Sequence, residues 1–332
     1  MGNNDLLLLG IGRLGFLTTN EKLTLLRCTA SERQFSELRR EGVERLLDRM
    51  LKCRVFDPAG ALRAAEGDRK LLTRERIEYT FYEEPEYPPQ LREIHDPPFL
   101  LFFRGKLPDY DLPLLGIVGT REPTGRAAKA AFRLGYEAGR SGIGVVSGLA
   151  RGIDGFAHEG NVAGGGRTVA VLGCGIDFVY PPQNRYLGAR ILESGGTILS
   201  EYPPGEQPLR YHFPARNRII SGLSRGVVVV EAPEKSGALI TVDHALDQGR
   251  DLFVHRDGLY GPTGVGTQRL SEDGARVIEG IEGVLDEWGY ERAASVEPVG
   301  ATSSNLASTM RAELTGELML HRGSYFRRIG NG

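Results

Sequence analysis

The spacing of hydrophobic residues changes along the chain and predicts different elements in different stretches. Over residues 1–75, hydrophobic residues recur at helical spacing, most clearly within 23–51, which predicts a small helical domain. Residues 76–113 are rich in proline and aromatic residues, and prolines at this density exclude a long helix. We expect this stretch to link the domains and to add Phe99–Arg104 as an edge strand of the next domain.

From Leu114 onward, short apolar runs alternate with longer amphipathic segments. Continuous apolar runs are typical of parallel strands covered on both faces, so the alternation predicts a doubly wound α/β sheet with right-handed crossovers. The predicted strands are 114–118, 143–147, 168–172, 197–200, 227–231 and 251–254. The predicted helices are 125–140, 154–163, 184–194, 215–224 and 237–249.

The pattern changes again after the last predicted strand. Residues 258–266 are predicted to form a loop, and 276–285 a last strand or helix against the sheet edge. Residues 291–305 are rich in small residues, glutamate and proline, which is typical of a linker. In 306–332 a short helical pattern precedes a predicted hairpin around Arg322-Gly323.

Composition fits a packed protein of two or three domains. The 332 residues are 40% hydrophobic and 25% charged, and the 45 glycines, about twice the usual share, lie mostly at the ends of apolar runs. A net charge of −2 excludes a polycation, so nucleic-acid binding would require a local patch of arginines.

The sequence gives no sign of a metal site, a disulfide framework or a membrane segment. Cys28, Cys53 and Cys174 lack metal-type spacing, and an odd, sparse set favours a reducing compartment. The apolar run Leu6–Leu9 is too short for a signal peptide or a membrane span. We therefore expect a soluble, cytoplasmic protein with no cofactor.

Small residues and charges cluster in the loops that follow the predicted strands. Ligands of open parallel sheets bind outside the carboxyl ends of the strands. Four such loops, each opening a helix with exposed backbone N–H groups, could together cradle an anion: 119–125, 147–154, 173–181 and 231–237. The first loop lacks Gly-x-Gly-x-x-Gly and the chain lacks a P-loop, which argues against a nicotinamide cofactor and an ATPase.

Arginines in these loops favour a phosphate-bearing ligand, because guanidinium groups match phosphate oxygens bidentately. Arg121 and Arg151 have no obvious partner nearby in sequence and are predicted ligand contacts. Arg216-Asn217-Arg218 opens a helix. Its two arginines could contact the ligand or pair with Glu201 or Glu231 at the rim of the sheet, and the sequence leaves both interpretations open.

Aromatic residues near these loops could stack on unpaired bases. Tyr180, Phe178 and Phe213 are candidates, although the core is the preferred interpretation of Phe178 and Phe213. In the helical region, Gly12-Arg-Leu-Gly15 could present backbone amides to a phosphate as the hairpin of a helix-hairpin-helix element, or it could simply end a short helix.

A hydrolase is not indicated. Ser147, Asp154 and His158 are close in sequence, but their spacing does not establish a catalytic triad. Asp154 is an ordinary acid for the first turn of a helix, and His158 is interpreted as a packed helix residue. His244 and His255 have no ligand-like partners in sequence.

At these residues the chain resembles the DprA/Smf family of DNA-processing proteins. The resemblance covers about residues 80–255 and includes the family's lead-in to the sheet, Tyr87-Pro-Pro-Gln-Leu91. Its further motifs are Gly119-Thr-Arg121, Ser147-Gly-Leu-Ala-Arg-Gly-Ile-Asp154, Gly173-Cys-Gly-Ile-Asp177, Tyr180-Pro181, Leu199-Ser-Glu201, Phe213-Pro-Ala-Arg-Asn-Arg-Ile-Ile220, Val230-Glu-Ala232 and Ser236-Gly-Ala-Leu-Ile-Thr241.

The resemblance implies a fold and a function. The expected domains are a SAM-like helical domain (1–75), an extended Rossmann-like DNA-binding domain (76–290), a linker (291–305) and a shortened winged-helix-like domain (306–332). The family resemblance implies a non-enzymatic protein that binds single-stranded DNA without sequence preference, dimerises, and loads the RecA recombinase onto DNA, including DNA coated by single-strand binding protein. Natural transformation and homologous recombination are the expected processes.

The family's DNA pocket would include Arg121, Gly175, Tyr180 and the trio 216–218. With the residues of the rim loops, the expected DNA-binding set is Gly119, Thr120, Arg121, Ser147, Gly148, Arg151, Gly175, Phe178, Tyr180, Arg216, Asn217, Arg218, Ser236 and Gly237. The amphipathic stretch Ala238–Leu246 is a candidate dimer surface.

The chain also departs from the family. His255-Arg-Asp-Gly258 stands where the family has Pro-Gly, and Gln268-Arg-Leu270 where it has Asn-x-Leu-Ile, so the intervening loop could have another role. The short C-terminal region could contact duplex DNA or only help assembly. The alternative functions are a nucleotide-binding enzyme of the phosphoribohydrolase type, whose Pro-Gly-Gly-x-Gly-Thr signature is absent, and a structural assembly factor.

Overall fold

The computed structural model describes residues 5–292, 318–321 and 324–328. Five helices precede a nine-stranded, mostly parallel sheet that has helices on both faces. The α/β fold class expected from the alternating pattern is therefore confirmed.

Within the described residues, five helices form the N-terminal region, and three of them begin at a capping side chain. They are α1 (Asp5–Gly12), α2 (Thr19–Cys28), α3 (Glu32–Ser36), α4 (Arg40–Leu47) and α5 (Pro58–Glu75). Thr18 and Glu21 form a capping box that satisfies the first amides of α2. The loop after Gly12 does not present an amide cradle, because the amides of Arg13, Leu14 and Gly15 donate to backbone carbonyls. The simpler interpretation, a glycine that ends a short helix, is the one observed.

The sheet is built from β1 (Glu78–Phe81), β2 (Leu100–Gly105), β3 (Leu114–Val118), β4 (Gly144–Ser147), β5 (Val169–Val171), β6 (Thr197–Ser200), β7 (Gly226–Val229), β8 (Asp251–His255) and β9 (Arg276–Ile278). Their order is β1-β2-β6-β5-β4-β3-β7-β8-β9, with β1 and β2 antiparallel to their neighbours. All six predicted parallel strands are present. The edge position expected for Phe99–Arg104 is wrong, because this segment forms β2, which lies between β1 and β6.

The remaining helices of the sheet region are α6 (Pro89–Arg92), α7 (Gly125–Arg140), α8 (Ile153–Ala163), α9 (Arg185–Glu193), α10 (His212–Leu223), α11 (Gly237–Asp247), α12 (Val265–Glu272) and α13 (Glu282–Glu287). The five predicted helices are confirmed with small shifts of their ends. Helix α12 begins inside the predicted loop 258–266, and the segment predicted as a last strand or helix contains both β9 and α13.

Apolar side chains cover both faces of the sheet. Helices α7, α8 and α13 pack against one face, and α10 and α11 pack against the other. A third cluster joins α1 and α5 to Phe102 of β2 and Ile191 of α9. The N-terminal helices therefore share a continuous core with the sheet.

A separate three-stranded antiparallel sheet, ordered β10-β12-β11, contains β10 (Tyr290–Arg292), β11 (Leu318–His321) and β12 (Ser324–Arg328). His321 pairs with Ser324, which confirms the hairpin predicted around residues 322–323. The turn residues themselves, the rest of the predicted linker and the helical part of the C-terminal domain lie outside the described residues.

Two general properties complete the fold. Among the helices that the structure describes, none has both the length and the apolar character needed to cross a membrane. Within the same residues, no three His, Cys, Asp or Glu side chains come together as a metal site.

Candidate nucleic-acid interface

The sheet reverses its strand order at β3. The chain continues from β3 to β4 on one side and later returns to β7 on the other side. Such a switch point leaves a crevice between the loops that follow the two diverging strands, where open α/β sheets bind ligands. An open cleft of about 780 Å³ lies at this place and is lined by both loops and by the first turns of α10 and α11.

Glu231 fixes the loop after β3. Its backbone oxygen accepts a hydrogen bond from the Thr120 amide at 2.7 Å, and its carboxylate accepts one from the Thr124 amide at 2.7 Å. The other carboxylate oxygen accepts from the Thr263 hydroxyl at 2.9 Å. Glu231 is fully buried, and its three hydrogen bonds hold the loop segments together at the rim of the sheet.

A second buried network holds the loop after β4. The Gly148 amide donates to Asp154 at 3.0 Å, and the Arg216 guanidinium donates to the carbonyls of Gly148 and Val171. A side chain at position 148 would collide with Arg216 and Asp154, which explains the glycine. Burial raises the pKa of the Asp154 carboxyl, and the nearby Arg216 guanidinium opposes this shift.

The same loop contains a residue in an uncommon conformation. Leu149 has a φ of 54°, in the left-handed region that non-glycine residues rarely adopt. The Asn184 side chain donates to the carbonyls of Leu149 and Ala150 at 2.9 and 3.0 Å. Asn184 thus ties the loop after β4 to the segment before α9 and stabilises its strained conformation.

Positive charge dominates the cleft. Arg121, Arg210 and Lys235 are exposed at its rim, and Arg216 lies buried at its floor. Among the residues that the structure describes, Asp154 is the one acidic residue in the lining, and it lies beside Arg216. The cleft therefore favours an anionic ligand.

Sequence analysis did not identify Arg210 and Lys235. Arg210 belongs to the long loop between β6 and α10, which carries no glycine-rich motif of its own. Lys235 lies in the predicted rim loop 231–237, so its position after a parallel strand was the signal that could have found it.

Aromatic rings lie beside this charge. The Arg121 guanidinium lies 5.6 Å from the centre of the Phe213 ring, within the range of a cation–π interaction. The Phe213 ring lies 5.7 Å from the ring of Tyr180, which is 40% exposed. These three residues also border an adjoining cavity of about 270 Å³, which Arg151 and Gln183 help to line.

The structure brings most of the predicted site residues together. Gly119, Thr120, Arg121, Tyr180, Arg216, Asn217, Ser236 and Gly237 line the large cleft. Gly148 and Arg151 line the adjoining cavity. Ser147, Gly175, Phe178 and Arg218 line neither.

Three of these four outlying residues have structural roles. Ser147 is fully buried, and its hydroxyl donates to the Ile117 carbonyl at 2.6 Å. The Gly175 amide donates to the Glu206 carbonyl at 2.8 Å. Phe178 is half-buried against the cluster that includes the N-terminal helices, as its core interpretation required.

Arg218 is the clearest difference from the predicted site. Its guanidinium makes two hydrogen bonds of 2.7 Å to the carboxylate of Glu201, and its Nε lies 3.2 Å from an Asp96 carboxylate oxygen. The Arg218 side chain is 11% exposed. It borders a second cleft, between α1–α2 and the sheet, and not the cationic cleft. Of the two interpretations of Arg218, pairing within the protein is the one observed.

The residues considered for a catalytic triad are engaged separately. His158 Nδ1 lies 2.6 Å from the Thr168 hydroxyl oxygen, and Ser147 and Asp154 bond to backbone groups. Burial lowers the pKa of His158 to about 3, so its ring is neutral. The nucleophile-to-base hydrogen bond that a triad requires is not formed between these residues.

Comparisons with known proteins agree on one family. The family model described as "DNA recombination-mediator protein A" matches residues 78–289. The DNA processing protein DprA of Streptococcus pneumoniae is 42% identical over 204 residues, which are 61% of this chain and 72% of that protein.

Solved structures give the same result. The crystal structure of the Streptococcus pneumoniae protein superposes with a TM-score of 0.70 at 34% identity, covering 86% of this chain and 99% of the other. DNA processing protein A of Helicobacter pylori, described for its single-stranded DNA binding mode, superposes with a TM-score of 0.56 at 30% identity, covering 63% of this chain and 95% of the other.

Proposed function

Because this chain belongs to the family of DNA recombination-mediator protein A, we propose that it binds single-stranded DNA in the cationic cleft at the switch point of its sheet. The observation that carries the proposal is the joint presence of exposed cations, among them Arg121, and of the exposed Tyr180 ring and the half-buried Phe213 ring around one cleft. The described binding mode of the Helicobacter pylori relative supports the same ligand.

In this proposal the cations neutralise the phosphates. Arg121, Arg210 and Lys235 contact the backbone of the strand, and the buried Arg216 adds a fixed positive potential below it. The first turn of α11 borders the cleft at Ser236 and Gly237, so the positive end of the helix dipole adds to this potential. Gly237 leaves open space for the strand, since a Cβ there would meet no atom within 4 Å.

The bases stack on the rings of Tyr180 and Phe213. Stacking is tolerant of sequence because every base has a π face, so binding without sequence preference follows from this arrangement. Both rings are part of the rim of a concave site, which favours unpaired bases over a stacked duplex.

We propose that the wider function follows the family as well. A second copy of this chain, the RecA recombinase and single-strand binding protein are the proposed partners, and the proposed role is to load RecA onto incoming DNA and protect that DNA in transformation. The apolar face of α11 is largely used within the chain, where Ala238, Val242 and Ala245 are buried, while Leu246 is 58% exposed and available to a second copy. Contact of residues 306–332 with duplex DNA stays a prediction.

The proposal includes no catalytic step. The engagement of both Glu231 carboxylate oxygens by loop groups supports this, because a general base needs a free oxygen near its substrate. The phosphoribohydrolase alternative is tested by incubating the protein with a nucleoside monophosphate. Release of free base that disappears in Glu231→Gln would replace the proposed function.

Fluorescence anisotropy with labelled oligo-dT tests the binding proposal. Single-strand affinity should exceed affinity for a duplex of equal length. The logarithm of the affinity should also fall linearly with the logarithm of the salt concentration. The slope is about −0.7 for each phosphate contacted, which gives about −2 for the three rim cations. A flat salt dependence, or equal binding of the duplex, would reject the cleft as a single-strand site.

A further inference from the structure

The exposed face of α7 carries an unusual row of side chains. At 100° per residue, its exposed residues fall within an arc of about 120°, opposite the buried alanines and glycines that pack on the sheet. These residues are Arg126, Lys129, Phe132, Arg133, Tyr136 and Arg140, which we name the α7 stripe.

Almost all charge on this helix has one sign. Its acidic residue, Glu137, accepts a hydrogen bond from Arg133 at 2.7 Å and another from the Ile281 amide at 3.1 Å. Arg126, Lys129 and Arg140 make no ion pair within the described residues. A solvated helix face ordinarily mixes both signs at neighbouring turns, so three unpaired cations in one row indicate an anionic ligand.

Aromatic rings interrupt the row of cations. Phe132 is 40% exposed and Tyr136 is 42% exposed, although both belong to residue types that usually bury more of their surface. At the start of the helix, the Arg126 guanidinium lies 5.7 Å from the centre of the Tyr260 ring, which is 57% exposed. This repeats the pairing of Arg121 with Phe213 in the cleft.

Tyr260 belongs to the loop between the two segments that depart from the family motif. The loop packs tightly on the end of β7, since a Cβ at Gly258 would collide with the Val230 carbonyl oxygen. Thr263 ties it to Glu231, which also holds the loop carrying Arg121. The loop therefore presents Tyr260 on a rigid base beside the rim of the cleft.

The α7 stripe is continuous with the cleft along the chain. Arg121 lines the cleft, Thr124 caps α7, and Arg126 lies in the first turn of this helix. From Arg126 to Arg140 the stripe is about 21 Å long at 1.5 Å per residue. A stacked strand with a phosphate every ~3.4 Å would place about six nucleotides along this length.

We propose that single-stranded DNA leaving the cleft continues along the α7 stripe, where Tyr260, Phe132 and Tyr136 stack bases and Arg126, Lys129 and Arg140 contact phosphates. The proposal rests on the proposed binding of a single strand in the cleft and adds a second segment to its path. Cations and rings alternate in the stripe, and this alternation suits a strand with accessible bases better than an acidic protein surface.

Two oligo-dT lengths test the path. A strand of about 4 nucleotides occupies the cleft alone, and one of about 16 reaches the stripe. We compare the protein with the double variant Lys129→Gln/Arg140→Gln, which leaves the Arg133–Glu137 pair intact. For the long strand, the salt slope of the variant should be shallower by about 1.4, and its affinity at ~0.1 M salt should be about 25-fold lower. The short strand should bind to the variant with unchanged affinity.

A matched control removes two cations from another helix surface. Arg69 and Lys70 on α5 are exposed, line neither cavity and, like Lys129 and Arg140, form no ion pair within the described residues. Arg69→Gln/Lys70→Gln therefore changes the net charge equally and should leave both affinities within about twofold. Tyr136→Ala should weaken the long strand alone, by at least about fivefold. A 5-iodouracil placed beyond the cleft segment of the long strand should cross-link to a peptide within residues 125–140.

The outcomes separate the two proposals. Equal binding of the long strand by the protein and its Lys129→Gln/Arg140→Gln variant would overturn the stripe and leave the cleft standing. The stripe would also be overturned if the variant lost affinity for duplex DNA and kept its affinity for the long single strand. Failure of the wild-type protein to bind either length would reject the cleft itself.

Discussion

Arg121 and Arg218 both lie near the rim formed by the carboxyl ends of the parallel strands. The structure predicts that replacing Arg121 weakens DNA binding and that replacing Arg218 lowers stability. Arg121 is exposed at the cleft and makes no ion pair within the described residues. Arg218 is 11% exposed and holds the Glu201 carboxylate with two hydrogen bonds of 2.7 Å. Replacing each with alanine therefore separates DNA binding from stability.

For Arg121→Ala the expected loss is in affinity. One phosphate contact contributes about 0.7 to the salt slope, and charge-assisted hydrogen bonds contribute about 1.5–3 kcal/mol, which corresponds to roughly a 10- to 150-fold weaker Kd. Its interaction with Phe213 contributes about 0.5–1 kcal/mol at an exposed site, so the free energy of unfolding should fall by less than about 1 kcal/mol.

For Arg218→Ala the expected loss is in stability. The change leaves the Glu201 carboxylate, 16% exposed, without its partner, and breaking a buried pair in this way costs about 3–5 kcal/mol. At about 2–4 °C per kcal/mol, the Tm should fall by roughly 6–20 °C. Below its Tm the variant should bind oligo-dT with an unchanged Kd.

Thermal unfolding and anisotropy on the same samples provide both measurements. The reasoning is refuted if Arg218→Ala weakens binding of the folded protein as much as Arg121→Ala does. It is also refuted if Arg121→Ala lowers the Tm while leaving the Kd unchanged.

Three further predictions concern the residues around the cleft. Burial lowers the pKa of His158 to about 3, so the unfolded state binds protons more tightly than the folded state. The free energy of unfolding should therefore be largest above pH ~6.5 and should fall as the pH falls toward 3. In urea unfolding, His158→Gln should lose less of this free energy over the same pH range. Asn184→Ala removes two hydrogen bonds from the strained loop at Leu149 and should cost about 1–3 kcal/mol in chemical unfolding while weakening oligo-dT binding; unchanged binding would mean that the loop does not shape the cleft. Gly258→Ala should destabilise by at least ~2 kcal/mol because its Cβ collides with a carbonyl, whereas Gly237→Ala should be tolerated in the same unfolding assay; equal effects of the two would contradict the packing described.

The sequence predicted the parallel strands well because each is a continuous apolar run that ends in small residues. It did not predict β1, Glu78–Phe81, because this strand is short, begins with a charged residue and buries only Thr80 fully. Its place is set by pairing with Phe102 and its neighbours, which are distant in sequence. Helix α12 was missed for a related reason, since its first turn continues a glycine-rich loop and is stabilised by contacts with Ala232.

Residue type and position after a strand were sufficient to place Arg121 and Tyr180 at the cleft, but not to place the trio 216–218, which lies in the second turn of α10. Successive residues of a helix point about 100° apart, so neighbours in sequence can face different clefts. Phe213 and Arg216 face the cationic cleft, whereas Ala215 and Arg218, three residues apart, face the cleft beside the N-terminal helices. Helical phase alone separates Arg216 from Arg218, although the choice of Glu201 over Glu231 as the partner of Arg218 was visible only in three dimensions.

The central claim, that a single strand lies in the cleft between the loops after β3 and β7, is tested most directly by a crystal structure of the protein with a short oligo-dT. The account predicts phosphates within hydrogen-bond distance of Arg121 and Lys235, and a base against the ring of Tyr180. A strand seated instead in the cleft beside Arg218 and Glu201, or on a surface that leaves Arg121 free, would contradict it.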